Sequence, residues 1–570
     1  MTTRPVPPTV APAHTTPAGA PPATLAELTA FAARSFPDRE ALVEDGERWS
    51  FATLRERTVR STRAALAHGV RKGDRVAVWA PNSRHWITAA LGAVGAGAVL
   101  VPLNTRYKPA EAADILRRSG ARLLFTVGGF LGTDYAASLA ASGEPLPALE
   151  RTVVLPTDEA PATGPDGYAA YLERADGIGD QEHAARAATL GPGDLCDILY
   201  TSGTTGRPKG VEVTHGQTLA AFTAWTRAVG LREGDRYLLV NPFFHTFGYK
   251  AGVLACLLTG TTMYPEAVHD AGRALRRVEQ ERLTVLMGPP TIFHTLVRHP
   301  DRASTDLSSL RLAGTGAAGV PVELVAEIRE ELGAPEVFTA YGLSESSGVA
   351  TVCPTTADAA TIARTVGVPL PGTELRILAA DGTGAARGEP GEICLRAAHV
   401  MRGYTDDPEA TAAAVDADGW LHTGDVGSLD AEGFLTITDR LKDMYIVGGF
   451  NTYPAEIERV LHGHEDVAEV AVVGVPDARL GEVGAAYVVL REGAEPYGFD
   501  TALTDWARER LANYKLPRTV TVLSALPRNT SGKILKTALR AAPSPTRTPR
   551  GTSPSPTHRE EHSAGAAERS

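Results

Sequence analysis

From about residue 24 to residue 380 the chain alternates short apolar runs with stretches that carry apolar residues at helical spacing. The runs 75–79, 122–127, 196–200, 237–240, 283–287 and 337–339 read as strands. Residues 322–332 read as a helix, with Pro321 at its start and Gly333 just past its end. The uncharged stretch 86–103 reaches the length of a membrane span, but it is rich in Ala and Gly and Pro102 closes it. A buried helix to about Gly97 followed by a strand at 98–101 fits it better. Such alternation predicts an α/β fold with doubly wound parallel sheets covered on both faces.

After Gly388 the pattern changes to short strands and turns rich in Gly, Asp and Thr, a β-rich part that runs to 438. The charged segment Asp439-Arg-Leu-Lys-Asp443 reads as a joint. Beyond it, 454–461 and 501–512 read as helices and 467–475 as a strand. The expected organisation is a large domain over 24–438, a joint over 439–443 and a small α+β domain over 444–540. The tails 1–23 and 541–570, rich in Pro, Ala, Ser and Thr, are expected to be disordered. No internal repeat stands out.

A chain of 570 residues is too long for one core, which agrees with two domains. A hydrophobic content of 43% with 22% charged residues is ordinary for a globular enzyme. The net charge of −11 argues against a general binder of nucleic acid or anionic membrane. Cys196, Cys256, Cys353 and Cys394 lie far apart without a CxxC, so neither zinc nor a disulfide framework is suggested. With no signal peptide and no convincing transmembrane segment, a reducing cytoplasm is the expected setting.

Candidate chemistry concentrates at Tyr200-Thr-Ser-Gly-Thr-Thr-Gly-Arg-Pro-Lys-Gly210. Glycines let successive N–H groups converge on an anion. Thr201, Ser202, Thr204 and Thr205 add neutral donors, and Lys209 adds a charge at the rim. The segment suits a nucleotide polyphosphate, yet it is no Walker loop, because Pro208 precedes Lys209 and Gly210 follows it. By itself it could also be a turn joining two strands. Further polar, Gly-rich segments follow in order. They are Asn241-Pro-Phe-Phe-His-Thr-Phe-Gly-Tyr-Lys250, Tyr341-Gly-Leu-Ser-Glu345, Gly419-Trp-Leu-His-Thr-Gly-Asp425, the joint itself and Pro527-Arg-Asn-Thr-Ser-Gly-Lys533.

Together, in this order and over 24–540, these motifs resemble the adenylate-forming, AMP-binding superfamily, in its acyl-CoA synthetase branch. The resemblance implies an ATP-dependent acid–CoA ligase with a mobile C-terminal domain. A carboxylate attacks the α-phosphorus of ATP, and CoA then displaces AMP from the acyl-adenylate. The approach of two anions demands positive charge near the reacting atoms. Carried over by resemblance, Thr201, Ser202, Gly203, Thr204, Thr205, Gly206 and Lys209 cradle the phosphates. Glu345, with Thr201, would hold Mg²⁺. Ser344 would donate to the α-phosphate; Gly316, Ala317, Ala318, Tyr341 and Gly342 would flank adenine. Asp425 would accept from both ribose hydroxyls, and Arg440 would add a ribose or phosphate contact. Lys533 would neutralise the charge between carboxylate and α-phosphate, although most lysines are merely solvated. Lys442 would be the hinge, and Gly448, Gly449 and Phe450 would line the CoA channel, unless the glycines simply make a hairpin turn.

For the acid, amino-acid-activating relatives place an aspartate where Phe244 and His245 stand here, so an α-amino acid is disfavoured. Phe247, Gly248 and Tyr249 suggest an acyl pocket with room made by glycine; His245 is either near the acyl–adenylate junction or a packed core histidine. Lys250 is read either as a solvated helix residue or as a partner for a carbonyl or second carboxylate of the substrate. The segments 102–107, 241–254 and 442–450 are similar to actinobacterial ligases that activate HIP, a ring-propionate intermediate of steroid breakdown. That points to a medium-sized alicyclic, steroid-derived or fatty acid, and a homodimer is compatible with it. Three rivals stay open at this point: a ligase that loads a separate carrier protein, a luciferase-like oxygenase, and a non-catalytic nucleotide sensor.

Overall fold

The computed structural model describes residues 21–202, 208–316, 320–379, 381–440, 445–527, 534 and 536–541. Among these residues the strands form sheets of nine, seven, four and five. Six adjacent strands of the nine-stranded sheet pair in parallel, from Glu336–Tyr341 through Leu312–Gly316, Val285–Gly288, Arg236–Leu239 and Thr262–Pro265 to Glu40–Glu44. In the seven-stranded sheet Leu195–Ser202, Val99–Pro102, Arg75–Trp79, Leu123–Val127 and Arg151–Leu155 are parallel. Its other edge is antiparallel, with Pro208–Thr214 and then Gly403–Tyr404 added beside Leu195–Ser202.

Helices cover these sheets, and their starts follow local chemistry. Helix His215–Val229 begins at a Thr-x-x-Gln box: Gln217 N donates to Thr214 Oγ1 at 3.3 Å, and Thr214 N donates to Gln217 Oε1 at 2.9 Å. Gly230 ends it in the left-handed conformation. The uncharged stretch resolves as helix Arg84–Gly95, capped by Ser83, and strand Val99–Pro102, both in the core. No helix among the described residues is long and apolar enough to cross a membrane.

The β-rich part is an antiparallel sheet of Thr373–Leu378, Gly391–Ala397, Leu421–Leu429 and Leu435–Arg440. The small C-terminal domain has its own core around Tyr445, Ile457, Val472, Val488, Leu503 and Leu516. Its long hairpin, Val467–Asp477 with Gly481–Leu490, is flanked by helices Pro454–His462 and Phe499–Arg508. The second helix stops earlier than its periodicity suggests, because Leu511, Ala512, Tyr514 and Leu516 are drawn into the core beside it. The joint residues 441–443 and most of both tails lie outside the described residues.

Candidate active site

Residues 200–210 occupy the open end of a hairpin between Leu195–Ser202 and Pro208–Thr214, with Thr201 opposite Lys209 and Ser202 opposite Pro208. The turn itself, including Gly203, Thr204, Thr205 and Gly206, lies outside the described residues. So do Ala317, Ala318, Lys442 and Lys533. Gly316 ends its strand opposite Ala340, next to Tyr341. The Tyr341 phenol donates to Asp425 Oδ2 at 2.7 Å, tying the nine-stranded sheet to the four-stranded one. Backbone pairing sets Arg440 opposite Asp425.

Glu345 and Ser344 lie in one helical turn, Ser344–Ser346, after Gly342. A Cβ on Gly342 would fall 2.4 Å from Val349 Cα, so this tight loop needs glycine there. The Tyr404 phenol donates to Glu345 Oε1 at 2.7 Å, and the Lys209 ammonium sits 4.9 Å over the Tyr404 ring. Burial, and next the Glu345 carboxylate, holds the Tyr404 phenol well above its ordinary pKa, so it stays a donor. Sequence reasoning passed over Tyr404. It arrives through the pairing of Gly403–Tyr404 with Pro208–Thr214, some 190 residues away in sequence, and no local signal announces it.

These elements surround a cavity of about 510 Å³, within the usual range for small-molecule sites. Tyr200, Thr201, Ser344 and His245 face it from the large domain, and Gly448, Gly449 and Phe450 from the small one. Its apolar wall includes Phe130, Leu131, Phe244, Phe247 and Val268. Leu131 is 66% exposed and Val268 41%, and both present apolar surface to the cavity. None of Phe130, Leu131 and Val268 was among the acyl-pocket candidates, because the chain gives no sign that 130–131 and 268 converge.

The acyl-pocket reading of 245–250 divides. Phe247 and His245 face the cavity. Phe247 N donates to His245 Nδ1 at 3.1 Å, which requires that nitrogen to be unprotonated. With Nδ1 accepting from Phe247 N, the neutral ring carries its proton on Nε2, which can donate into the cavity. His245 is therefore no packed core histidine. Gly248, Tyr249 and Lys250 are buried and absent from the cavity lining. A Cβ on Gly248 would fall 2.1 Å from the Pro242 carbonyl oxygen; the space its hydrogen leaves is filled by backbone, not by an acyl chain. Lys250 belongs to a π-helical turn, Tyr249–Leu254, and is fully buried. Its Nζ is 3.0 Å from Asp197 Oδ1 and 3.2 Å from Thr218 Oγ1. It is neither solvated nor a substrate contact: it is paired to a carboxylate on the strand that leads into Thr201.

Gly448 and Gly449 make the expected hairpin turn. They turn the hairpin Tyr445–Val447 to Phe450–Thr452 with φ of 54° and 88°, and they line the cavity. A Cβ on Gly449 would lie 3.2 Å from the Pro289 ring, across the domain boundary. Arg106 stacks over the Phe450 ring at 4.7 Å.

The sequence pattern of the family described as AMP-binding enzyme matches residues 30–405, and that of the AMP-binding enzyme C-terminal domain matches 456–533. Over 508 residues the chain is 50% identical to a Mycobacterium tuberculosis 3-[(3aS,4S,7aS)-7a-methyl-1,5-dioxo-octahydro-1H-inden-4-yl]propanoyl:CoA ligase, covering 89% of this chain and 96% of that one. Among solved structures, a double mutant of Bacillus subtilis o-succinylbenzoate CoA synthetase bound with its product analogue OSB-NCoA superposes with a TM-score of 0.76. It is 30% identical, with 90% of this chain and 98% of that one covered. The same synthetase in complex with AMP, at 29% identity and the same coverage, superposes with a TM-score of 0.62.

Proposed function

The chain belongs to the AMP-binding enzyme family, and on that premise we propose that it is an ATP-dependent carboxylic acid–CoA ligase acting on a bulky, apolar, ring-bearing propanoate or an acid of similar size. One observation carries the reading: a single cavity meets Thr201 and Ser344 on one side, His245 and an apolar wall on another, and the Gly448–Phe450 hairpin on a third. Half identity to a ligase for a fused-ring propanoate, and the exposed Leu131 and Val268 in the cavity wall, support the acid class.

In the first half-reaction a carboxylate oxygen bonds to the α-phosphorus of ATP and pyrophosphate leaves. Lys209 and the hydroxyls of Thr201 and Ser202 bind the phosphates, and Lys533 neutralises the two anions as they approach. Asp425, held by the Tyr341 phenol, orients the ribose. The neutral His245 donates from Nε2 toward the acyl carboxylate. Glu345 and the Thr201 hydroxyl form an all-oxygen donor set suited to Mg²⁺, with the Glu345 carboxylate oriented by Tyr404. Bound there, the ion would screen the departing phosphate charge. In the second half-reaction the CoA sulfur bonds to the acyl carbon and AMP leaves, with the thiol entering beside Gly448 and Gly449. Domain limits at 438 and 444 with a hinge at Lys442, a cytoplasmic location and a homodimer belong to the same proposal.

The test is acyl-CoA formation by purified protein with ATP, Mg²⁺, CoA and a panel of fatty, aryl, alicyclic and steroid-derived acids. Acyl-CoA from a ring-bearing acid is expected. Lys533→Ala should nearly abolish adenylate formation and spare thioester formation from supplied acyl-adenylate. Acyl-AMP without thioester would make a carrier protein the acceptor, and silence across the panel would overturn the substrate class.

A further inference from the structure

One buried charge serves both domains at their seam. Lys515, at the end of the turn Asn513–Lys515, is 1% exposed. Its Nζ lies 2.8 Å from Glu111 Oε1 and 2.7 Å from Glu456 Oε1, and 4.7 Å over the Tyr107 ring. Glu456 stands on helix Pro454–His462 of the small domain and travels with Lys515. Glu111 stands on helix Pro109–Ser119 of the large domain. Nearby, Asn104 Nδ2 donates to the Tyr514 hydroxyl at 3.3 Å, and the ring of Phe450, which follows Gly449 in the cavity wall, packs 4.8 Å from that of Tyr514.

We propose that Glu111 is a positioning residue for the thioester-forming half-reaction: its ion pair with Lys515 holds the small domain where Gly448–Phe450 line the cavity. The inference rests on the ligase reading above. It also implies that the pair parts whenever the small domain turns to present another face.

The arrangement suits a catch that opens. A buried lysine stripped of every anion is costly. Because Glu456 moves with it, Lys515 keeps one carboxylate when the seam separates, and Glu111 becomes rehydrated on the large-domain surface. Glu111 does not depend on Lys515 for its own place, since its Oε2 accepts from Lys108 N at 2.9 Å and caps the helix start. Removing the pair therefore shifts a population between domain orientations without dismantling either domain.

Glu111→Gln keeps an oxygen for the Lys108 N–H and removes the charge. Thioester formation from supplied acyl-adenylate and CoA should fall about five- to tenfold, while acid-dependent ATP–pyrophosphate exchange stays within about twofold of wild type. Glu111→Asp should recover part of the loss. Equal loss in both half-reactions, or loss in neither, overturns the proposal. A readout free of substrate separates this failure from that of the ligase reading. The native cysteines are buried, so spin labels can be placed at Asp158→Cys and Glu509→Cys on the exposed surfaces of the two domains. Glu111→Gln should broaden the interdomain distances away from the wild-type peak, whether or not any acid is turned over. An unchanged distribution overturns the proposal. Wild type that fails to make thioester from any acid overturns the ligase reading instead.

Discussion

Among the described residues two lysines are withdrawn from water, one in the floor of the large domain and one in the seam between domains. Lys250 is fully buried with a single carboxylate, Asp197, on the strand that leads to Thr201. Lys515 is 1% exposed with two carboxylates, one from each domain. The floor pair lies wholly within the large domain and has no reason to part. The seam lysine carries its spare partner with it. Equal burial can therefore mean opposite things: Lys250 ties the strand that leads to Thr201 to the π-helical turn behind His245, whereas Lys515 joins two domains whose parting we propose. Number and ownership of the counter-charges decide which.

The largest expected effect comes from breaking the floor pair. Lys250→Met leaves Asp197 buried without its cation and should cost about 3–5 kcal/mol of stability, read by denaturant unfolding. Asp197→Asn combined with Lys250→Met should recover much of that loss, since no charge is then stranded. Relative rates among acids should stay unchanged in any variant that folds, because Lys250 does not face the cavity. A changed acid preference would restore it to the substrate pocket.

A smaller and more selective effect is expected at the seam. Gly449→Ala puts a Cβ on a residue with φ of 88° and 3.2 Å from the Pro289 ring. A left-handed alanine costs about 1–2 kcal/mol, so thioester formation should slow roughly tenfold with adenylation little changed. Equal slowing of both steps would mean that the hairpin stays at the cavity throughout.

The gentlest perturbation is acid. His85 and His215 in the large domain are pushed by burial from an ordinary 6.5 down to about 4. Between those values the unfolded chain binds more protons than the folded one, so stability is present above about 6.5 and falls as the pH approaches 4. Glu44, raised by burial to about 7 despite its bonds to Arg84, works in the opposite direction between 4.5 and 7. Two imidazoles outweigh one carboxyl, and the thermal midpoint of the large domain should drop on acidification. His215→Gln should flatten that slope. A small-domain transition that moves in parallel would mean that the seam does not let the domains respond separately.

Much of the fold is legible because its signals are local. The apolar runs at 75–79, 196–200 and 337–339, the Thr-x-x-Gln box at 214–217 and the uncharged stretch closed by Pro102 each depend on a few neighbouring residues, and each became the expected kind of element. The Gly-, Ser- and Thr-rich segment at 200–210 stands out in the chain for the same reason, being short and contiguous. The acyl pocket is not. Gly248, Tyr249 and Lys250 look like lining residues beside Phe247, yet all three lie in the core, Tyr249 and Lys250 on the π-helical turn. Leu131 and Val268, which do line the cavity, are ordinary apolar residues of separate loops.

By itself the sequence determined the α/β class, the sharp change of texture after Gly388, the family and the chemistry that ATP handling demands. These rest on periodicity and on contiguous motifs, which a chain carries without being folded. Tertiary structure alone decided that Tyr404 orients Glu345, that Lys250 answers Asp197, and that Lys515 reaches Glu111 across some 400 positions. Each of these is a meeting of charges or hydroxyls made strong by burial, and burial depends on what packs above a residue, which no stretch of sequence around it states.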